Sequence, residues 1–324
     1  MNLILHIILL AGGVAILWKS AELLVAGAVG LAQKLGISSL VVGLTVVAMG
    51  TSAPEVAASI AGVLRKTGGG DLAVGNVFGS NIANLALVGG LVALIRPLMV
   101  QRKTLLREIP VMLAVALLLW PLINNSYLNR PEAVILLAIF VILIIITVHT
   151  ARQESKLPRH QSESIEPDAK HAARSVKKNA LFVLVGLVGL ALGAKMAVDG
   201  AVFVGIEIGL SERVIALTII AFGTSLPELL TCVVAAIKGH HDISVGNLVG
   251  SNIFNTLLVT GSAGIIRPFE IGTRLAGGLD YWIMVAVSVV FAVLIIISRR
   301  VLSRGCGLLL VCAYIGYIIY LLLA

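Results

Sequence analysis

Long apolar blocks separated by short polar joints make up almost the whole chain. Ten blocks of predominantly apolar residues occupy 3–31, 39–64, 72–95, 104–123, 131–150, 180–208, 214–237, 243–265, 280–298 and 306–323. A helix needs roughly 20 such residues to cross the hydrocarbon layer, so the pattern predicts an all-α integral membrane protein with ten transmembrane helices. The first block has no basic residue before Lys19 and no small-residue cleavage site after it. It is therefore expected to stay as a span rather than leave as a signal peptide. The one long polar joint, 151–178, carries Arg152, Glu154, Lys156, Arg159, Glu163, Glu166, Asp168, Lys170, Arg174, Lys177 and Lys178. It reads as a solvated linker with room for a helical piece, and it divides the chain into a first five-helix unit, 1–150, and a second, 179–324.

The two units repeat one another. Gly50-Thr51-Ser52-Ala53-Pro54-Glu55 recurs 173 residues later as Gly223-Thr224-Ser225-Leu226-Pro227-Glu228. Gly75-Asn76-Val77-Phe78-Gly79-Ser80-Asn81-Ile82-Ala83-Asn84 recurs 171 residues later as Gly246-Asn247-Leu248-Val249-Gly250-Ser251-Asn252-Ile253-Phe254-Asn255, and Ile95-Arg96-Pro97 returns as Ile266-Arg267-Pro268 at the same offset. Ordered matches on this scale mark an internal duplication, with one motif over 48–84 and the other over 221–255. An odd number of spans per unit makes the second enter the bilayer upside down relative to the first. Inverted-topology repeats with Gly/Pro-interrupted spans at corresponding positions are a pattern of secondary transporters, and the broken helices point to the binding site.

Composition agrees. Apolar residues are 59% of the chain, charged residues 12%, and mean hydropathy is +1.06; a soluble domain carries about 25% charged residues and could not cover its surface with so few. The net charge of +8 does not point to nucleic acid, because the basic residues fall in short joints, where they act as an orientation signal. Sixteen lie on one side: Lys34, Arg96, Arg102, Lys103, Arg107, seven in the linker, Lys238, Arg299, Arg300 and Arg304. Six lie on the other: Arg65, Lys66, Arg130, Arg213, Arg267 and Arg274. The positive-inside rule then puts the linker in the cytoplasm and both termini outside it. Cys232, Cys306 and Cys312 have no paired spacing and read as small buried hydrophobes. There is no GxSxG, no HExxH and no phosphate-binding glycine loop, so an intramembrane hydrolase and an ATP-driven pump lack their parts and no enzyme is expected.

Glu55 and Glu228 interrupt apolar spans at matching places. A charged side chain deep in the bilayer costs on the order of 3 kcal/mol, and at equivalent points of inverted repeats the two would meet near the membrane centre and recruit cations. Only Lys19 and Lys195 lie well inside spans, and Lys195 has Asp199 four residues away, so a neutralising lysine is not the expected partner. Oxygen-bearing groups surround each Glu: Thr51, Ser52, Ser80 and Asn84, then Thr224, Ser225, Ser251 and Asn255. Thr51–Glu55, Ser80–Asn84, Thr224–Glu228 and Ser251–Asn255 are each four apart and so share a helix face. Pro54 and Pro227 each free the carbonyl four residues earlier, and carbonyls near the interruption, including those of Ala48 and Ala221, add ligands. Carboxylates, hydroxyls, carboxamides and carbonyls without Cys or His form a hard-cation set; calcium takes 6–8 oxygens flexibly, whereas magnesium demands an octahedron. GNVFG and GNLVG have the GxxxG spacing of closely packed helices. Asn76, Asn81, Asn247 and Asn252 read either as interhelical hydrogen-bond partners or as further ligands. Glu22 with Lys19, and Asp199 with Lys195, read as structural pairs, and His149, His160, His171, His240 and His241 as solvated groups at span ends or in loops.

On these motifs the chain resembles the sodium/calcium exchanger family of the cation/calcium antiporter superfamily, and it is similar to bacterial inner-membrane members across all ten spans. The resemblance implies that Glu55 and Glu228 are the central cation ligands. It implies also that Thr51, Ser52, Ser80, Thr224, Ser225 and Ser251 add oxygens, and that one calcium or several sodium ions occupy the sites in turn. Potassium-dependent relatives, and at least some prokaryotic members, place an Asp where this chain has Asn255; neutral Asn84 and Asn255 argue mildly against potassium co-transport and limit the site to a charge of −2. Proton-coupled calcium exchangers carry a different repeat around GNxxE, absent here, which makes a Ca2+/H+ antiporter the alternative.

The expectation is a secondary active transporter exchanging Ca2+ for Na+ by alternating access, with short spans 1 and 6, or the bundle containing them, sliding against a fixed core. A cation channel would need a pore-loop filter that the sequence lacks, and a sensor would need a linker larger than these 28 residues. No cofactor is implied. The partners are the transported Ca2+ and Na+ and membrane lipid, not nucleic acid, and nothing in the chain implies an oligomer.

Overall fold

A computed structural model describes residues 2–65, 68–154, 174–210, 215, 219 and 221–323. Its helices are α1 (Asn2–Leu35), α2 (Ser39–Thr51), α3 (Ala53–Val63), α4 (Gly69–Ile95), α5 (Thr104–Ile123), α6 (Arg130–Glu154), α7 (Val176–Glu207), α8 (Ala221–Thr224), α9 (Leu226–Ile237), α10 (His241–Ile266), α11 (Leu279–Ile297) and α12 (Arg304–Leu323). Eight of these are long and apolar enough to cross a membrane, and α2 with α3, bent by 41°, would make a ninth. The predicted span 214–237 lies partly outside the described residues, which hold α8 and α9 of it. Most of the predicted linker, 155–173, lies outside them as well.

Spans 1 and 6 are not short. At 34 and 32 residues, α1 and α7 are the longest helices described, because each continues past its apolar block into polar sequence. Lys34 lies in the last turn of α1, and α7 opens on a Ser175 cap whose side chain accepts from the Lys178 N–H. At 1.5 Å per residue each is about 50 Å long, so they tilt or project beyond a hydrocarbon layer of about 30 Å. Their backbones touch through glycine: a Cβ added to Gly193 would lie 2.9 Å from Leu17 N, and one on Gly186 2.7 Å from Leu24 N.

The innermost helices are α4 and α10, with 72% and 78% of their spanning windows buried against 17% for α1 and 11% for α6. These two carry the Ser-Asn part of each repeat motif, so their polar side chains face protein rather than lipid.

Two short ribbons, absent from the expected all-helical pattern, tie the halves together. β1 (Leu98–Met99), after α4, pairs antiparallel with β4 (Val301–Leu302), before α12. β2 (Tyr127–Leu128), after α5, pairs antiparallel with β3 (Phe269–Glu270), after α10. Each ribbon takes one strand from each half, and exchanging the halves turns one ribbon into the other. The spanning helix α5 separates β1 from β2, which places the ribbons at its opposite ends.

Side chains repeat the exchange. Arg96, closing α4, donates to the carbonyl of Ile237 at the end of α9. Arg267, closing α10, donates to the carbonyls of Val63 and Arg65 at the end of α3, at 3.3 and 3.1 Å. Backbone angles at the two arginines match, with φ/ψ of −144°/118° and −148°/119°. Gln101 donates to Asp242 in the first turn of α10 at 2.7 Å, and the Gly272 N–H donates to Asp71 in the first turn of α4 at 2.6 Å.

Candidate cation site

Glu55 and Glu228 occupy the same local structure. Helix α2 ends at Thr51 and α8 at Thr224, and Ser52 (φ −82°, ψ 4°) and Ser225 (φ −88°, ψ 1°) interrupt the helical run. Pro54 and Pro227 sit in the first turn of the helix that follows, where a missing N–H costs nothing because first-turn donors are unpaired anyway. The prolines thus start a second helix rather than kink a continuous one. Glu55 and Glu228 fall in those first turns, where the positive end of the helix dipole favours a carboxylate.

Helices α4 and α10 supply the remaining oxygens. Asn84 lies within a π-helical turn, Ala83–Val88, and Asn255 opens another, Asn255–Val259. Such turns recur at functional sites, and no side-chain pattern marks them in the sequence. Ala48, Thr51, Ser52, Ser80, Asn84, Ser225, Ser251, Asn255 and both glutamates are buried, and Thr224 is half-buried. The Ala221 backbone begins α8.

The motifs of the two halves touch. Ser52 Oγ donates to Glu228 Oε1 at 3.5 Å, Thr51 Oγ1 donates to Asn247 Oδ1 on α10 at 3.2 Å, and the two carboxylates lie within electrostatic reach of each other. Both oxygens of Glu55, Oε2 of Glu228, the carboxamides of Asn84 and Asn255, and the hydroxyls of Ser225 and Ser251 have no hydrogen-bond partner among the described residues. Protein interiors pair about 90% or more of such groups, and an uncompensated buried charge costs about 3–5 kcal/mol. No lysine among the described residues answers it. Lys19 is 77% exposed and pairs with Glu22 at 3.0 Å, which also meets Lys238 at 3.6 Å. Lys195 is exposed, and its expected pairing with Asp199 is not among the ion pairs of the described residues. No three His, Cys, Asp or Glu side chains cluster among the described residues. The donor set is two carboxylates with neutral oxygens, which fits a hard cation.

The four motif asparagines all donate hydrogen bonds through Nδ2, while Oδ1 of Asn81 and Oδ1 of Asn252 have no partner among the described residues. Asn76 Nδ2 donates to the Glu55 carbonyl at 3.2 Å and to Ser59 Oγ at 2.9 Å, and Asn81 Nδ2 to Thr256 Oγ1 at 3.0 Å. Asn247 Nδ2 donates to Cys232 Sγ at 3.3 Å and Asn252 Nδ2 to the Leu248 carbonyl at 2.8 Å. Cys232, which reads from sequence as an inert hydrophobe, therefore belongs to the polar surroundings of the site. Its signal was positional: it follows Ser59 by 173 residues, the offset of the GTSxPE motif.

A family model described as sodium/calcium exchanger protein matches residues 5–148 and 178–323. The chain is 37% identical over 315 residues to inner membrane protein YrbG of Escherichia coli (strain K12), covering 96% of this chain and 94% of that protein. It is 29% identical over 347 residues to sodium/calcium exchanger MaX1 of Methanosarcina acetivorans, covering 98% of each. Its fold matches a solved structure of the sodium-calcium exchanger NCX_Mj, soaked with zero Na+ and Ca2+, with a TM-score of 0.81, 27% identity, and 97% and 98% of the two chains covered.

Proposed function

The chain belongs to the sodium/calcium exchanger protein family, whose members are transporters rather than enzymes, and from that premise we propose that it exchanges Ca2+ for Na+ across the plasma (inner) membrane by alternating access. It is a multi-pass membrane protein and, by family, a cation/calcium antiporter. The observation that carries the finer reading is the pair of buried carboxylates, Glu55 and Glu228, at equivalent helix breaks, with three of their four oxygens lacking a hydrogen-bond partner among the described residues. With both ionised, a site without cargo holds two negative charges in a low dielectric, which makes crossing unfavourable. One Ca2+, or sodium ions in its place, offsets that charge, so loaded states cross and exchange becomes obligatory. Thr51, Ser52, Ser80, Asn84, Thr224, Ser225, Ser251 and Asn255, with the carbonyls of Ala48 and Ala221, complete the oxygen shell in this reading. Neutral Asn84 and Asn255 leave no third charge for a potassium ion.

The ribbons and reciprocal arginines support ten spans arranged as two inverted five-helix repeats. Arg96 to Ile237, Gln101 to Asp242, Arg267 to Arg65 and Gly272 to Asp71 each join parts of the chain that the distribution of basic residues assigns to one membrane face. This supports a cytoplasmic linker and termini on the opposite side. The close glycine packing of α1 on α7 supports their moving as one unit against the helices that carry the site.

The test is calcium-45 uptake into proteoliposomes with imposed gradients. Uptake is expected to follow a sodium gradient and to be indifferent to potassium. Uptake driven by a pH gradient, undiminished at zero sodium, would replace sodium by protons as the coupling ion. Calcium flux that needs no ion on the far side would make the protein a channel.

A further inference from the structure

We propose that Asn247 is a positioning residue for the cation site, the last member of a directed hydrogen-bond relay that aims the lone pairs of Thr51 at the ion. The relay begins at the Ser244 carbonyl on α10. A carbonyl can only accept, so the Cys232 thiol, 3.5 Å away, points its proton there. The sulfur then accepts from Asn247 Nδ2 at 3.3 Å. With its nitrogen committed to the sulfur, the carboxamide turns Oδ1 toward Thr51 Oγ1 at 3.2 Å. That oxygen also only accepts, so Thr51 must donate. A hydroxyl has one proton and two lone pairs; with the proton given to Asn247, both lone pairs are left for a cation.

The alternatives open to that proton show what the relay achieves. Thr51 Oγ1 is also 3.3 Å from the Ala48 carbonyl and within hydrogen-bonding reach of Glu228. Both are ligands in the proposed site, and a proton directed at either would compete with the cation. Asn247 draws the proton away from them. All members are buried, so water does not offer a substitute acceptor.

The first half contains the same links as far as the asparagine. Ser59 Oγ donates to the Ala73 carbonyl at 3.2 Å, and Asn76 Nδ2 donates to Ser59 Oγ at 2.9 Å and to the Glu55 carbonyl at 3.2 Å. Ser59 corresponds to Cys232, Asn76 to Asn247 and Ala73 to Ser244 by the repeat offsets. The chain itself thus shows a hydroxyl serving where the second half has a thiol.

The inference rests on Thr51 being a cation ligand in the proposed antiporter, and the experiment separates the two claims. Calcium-45 exchange is measured over a range of calcium concentrations in proteoliposomes at matched protein levels, for Thr51→Val, Asn247→Ala, their combination, Cys232→Ser and Cys232→Val. Thr51→Val and Asn247→Ala are each expected to raise the KM for calcium about 5–10-fold with the maximal rate retained. The double variant is expected to be no worse than Thr51→Val alone, because Asn247 acts through Thr51. Cys232→Ser should keep the parent KM and Cys232→Val should raise it, a contrast that tests the relay even if Asn247→Ala fails to insert. An Asn247→Ala defect that multiplies with that of Thr51→Val, or a normal KM in Cys232→Val, would overturn the relay while leaving the ligand reading intact. A normal KM in Thr51→Val would overturn the ligand reading of Thr51 and the relay with it.

Discussion

Ser52 of the first repeat gives its hydroxyl proton to the Glu228 carboxylate of the second, at 3.5 Å. Ser52 is also the residue that interrupts the helix ahead of Glu55. The break in one half therefore touches the charge of the other, and the two motifs make one site rather than two. Ser52→Ala removes an oxygen of the proposed shell and, with it, the contact that positions Glu228 against the first repeat, and is expected to weaken calcium binding about 10–100-fold. Ser80→Ala, which deletes one neutral oxygen, should cost less. Calcium titrations of exchange for the two variants, side by side, check the order.

Glu55→Gln and Glu228→Gln should each abolish calcium exchange while leaving an inserted protein. Gln keeps the size and one oxygen but removes half of the site's charge. Leaving a buried charge under-compensated costs about 3–5 kcal/mol, or more than about 100-fold in affinity. Losing a charge deep in the membrane eases insertion, so activity and expression separate. Near-normal flux in either variant, in reconstituted vesicles at matched protein, would make the carboxylates structural.

Arg96 and Arg267 each supply hydrogen bonds to the final carbonyls of a helix in the opposite half. Arginine in that position satisfies helix-end acceptors. Arg96→Ala and Arg267→Ala are expected to destabilise the protein to a similar extent, about 1 kcal/mol each. Thermal unfolding in detergent would register the losses as comparable decreases in Tm. An effect from one arginine alone would break the equivalence of the two contacts.

A reporter active only in the cytoplasm, fused after Ala324, should be silent, whereas the same reporter inserted after Glu163 in the linker should be active. Strong activity at Ala324 would reverse the orientation read from the basic residues.

Most of the spans were legible because bilayer thickness imposes a length that apolar blocks must meet. The bend between α2 and α3 was legible through Pro54 and the Gly50 carbonyl it frees; that Ser52 is the residue at the break was not. The lengths of α1 and α7 were not, since hydropathy stops counting where polar residues begin, although the helix continues through Lys34 and starts at Val176 before Lys177 and Lys178. Two-residue ribbons are too short to show alternation. The π turns at Asn84 and Asn255 change the backbone register without asking for a particular side chain. The repeats disclosed that Arg96 corresponds to Arg267, but not that each reaches across to the other half, because that depends on how the halves pack. For Glu55, Glu228 and the surrounding hydroxyls the chemistry stood in the motif itself; for Cys232 it stood only in the spacing.

The exchanged strands and arginines also bear on the order in which the chain can be completed during synthesis. When α5 has been made, β2 has no strand to pair with, and the carbonyls of Val63 and Arg65 have no guanidinium. Both partners arrive only with residues 267–270. β1 waits longer still, until Val301 and Leu302 emerge. The amino-terminal half is thus held incomplete on the ribosome until its counterpart has entered the membrane. Because every one of these ties is non-covalent, two halves made as separate polypeptides would carry all the groups needed to find each other and close.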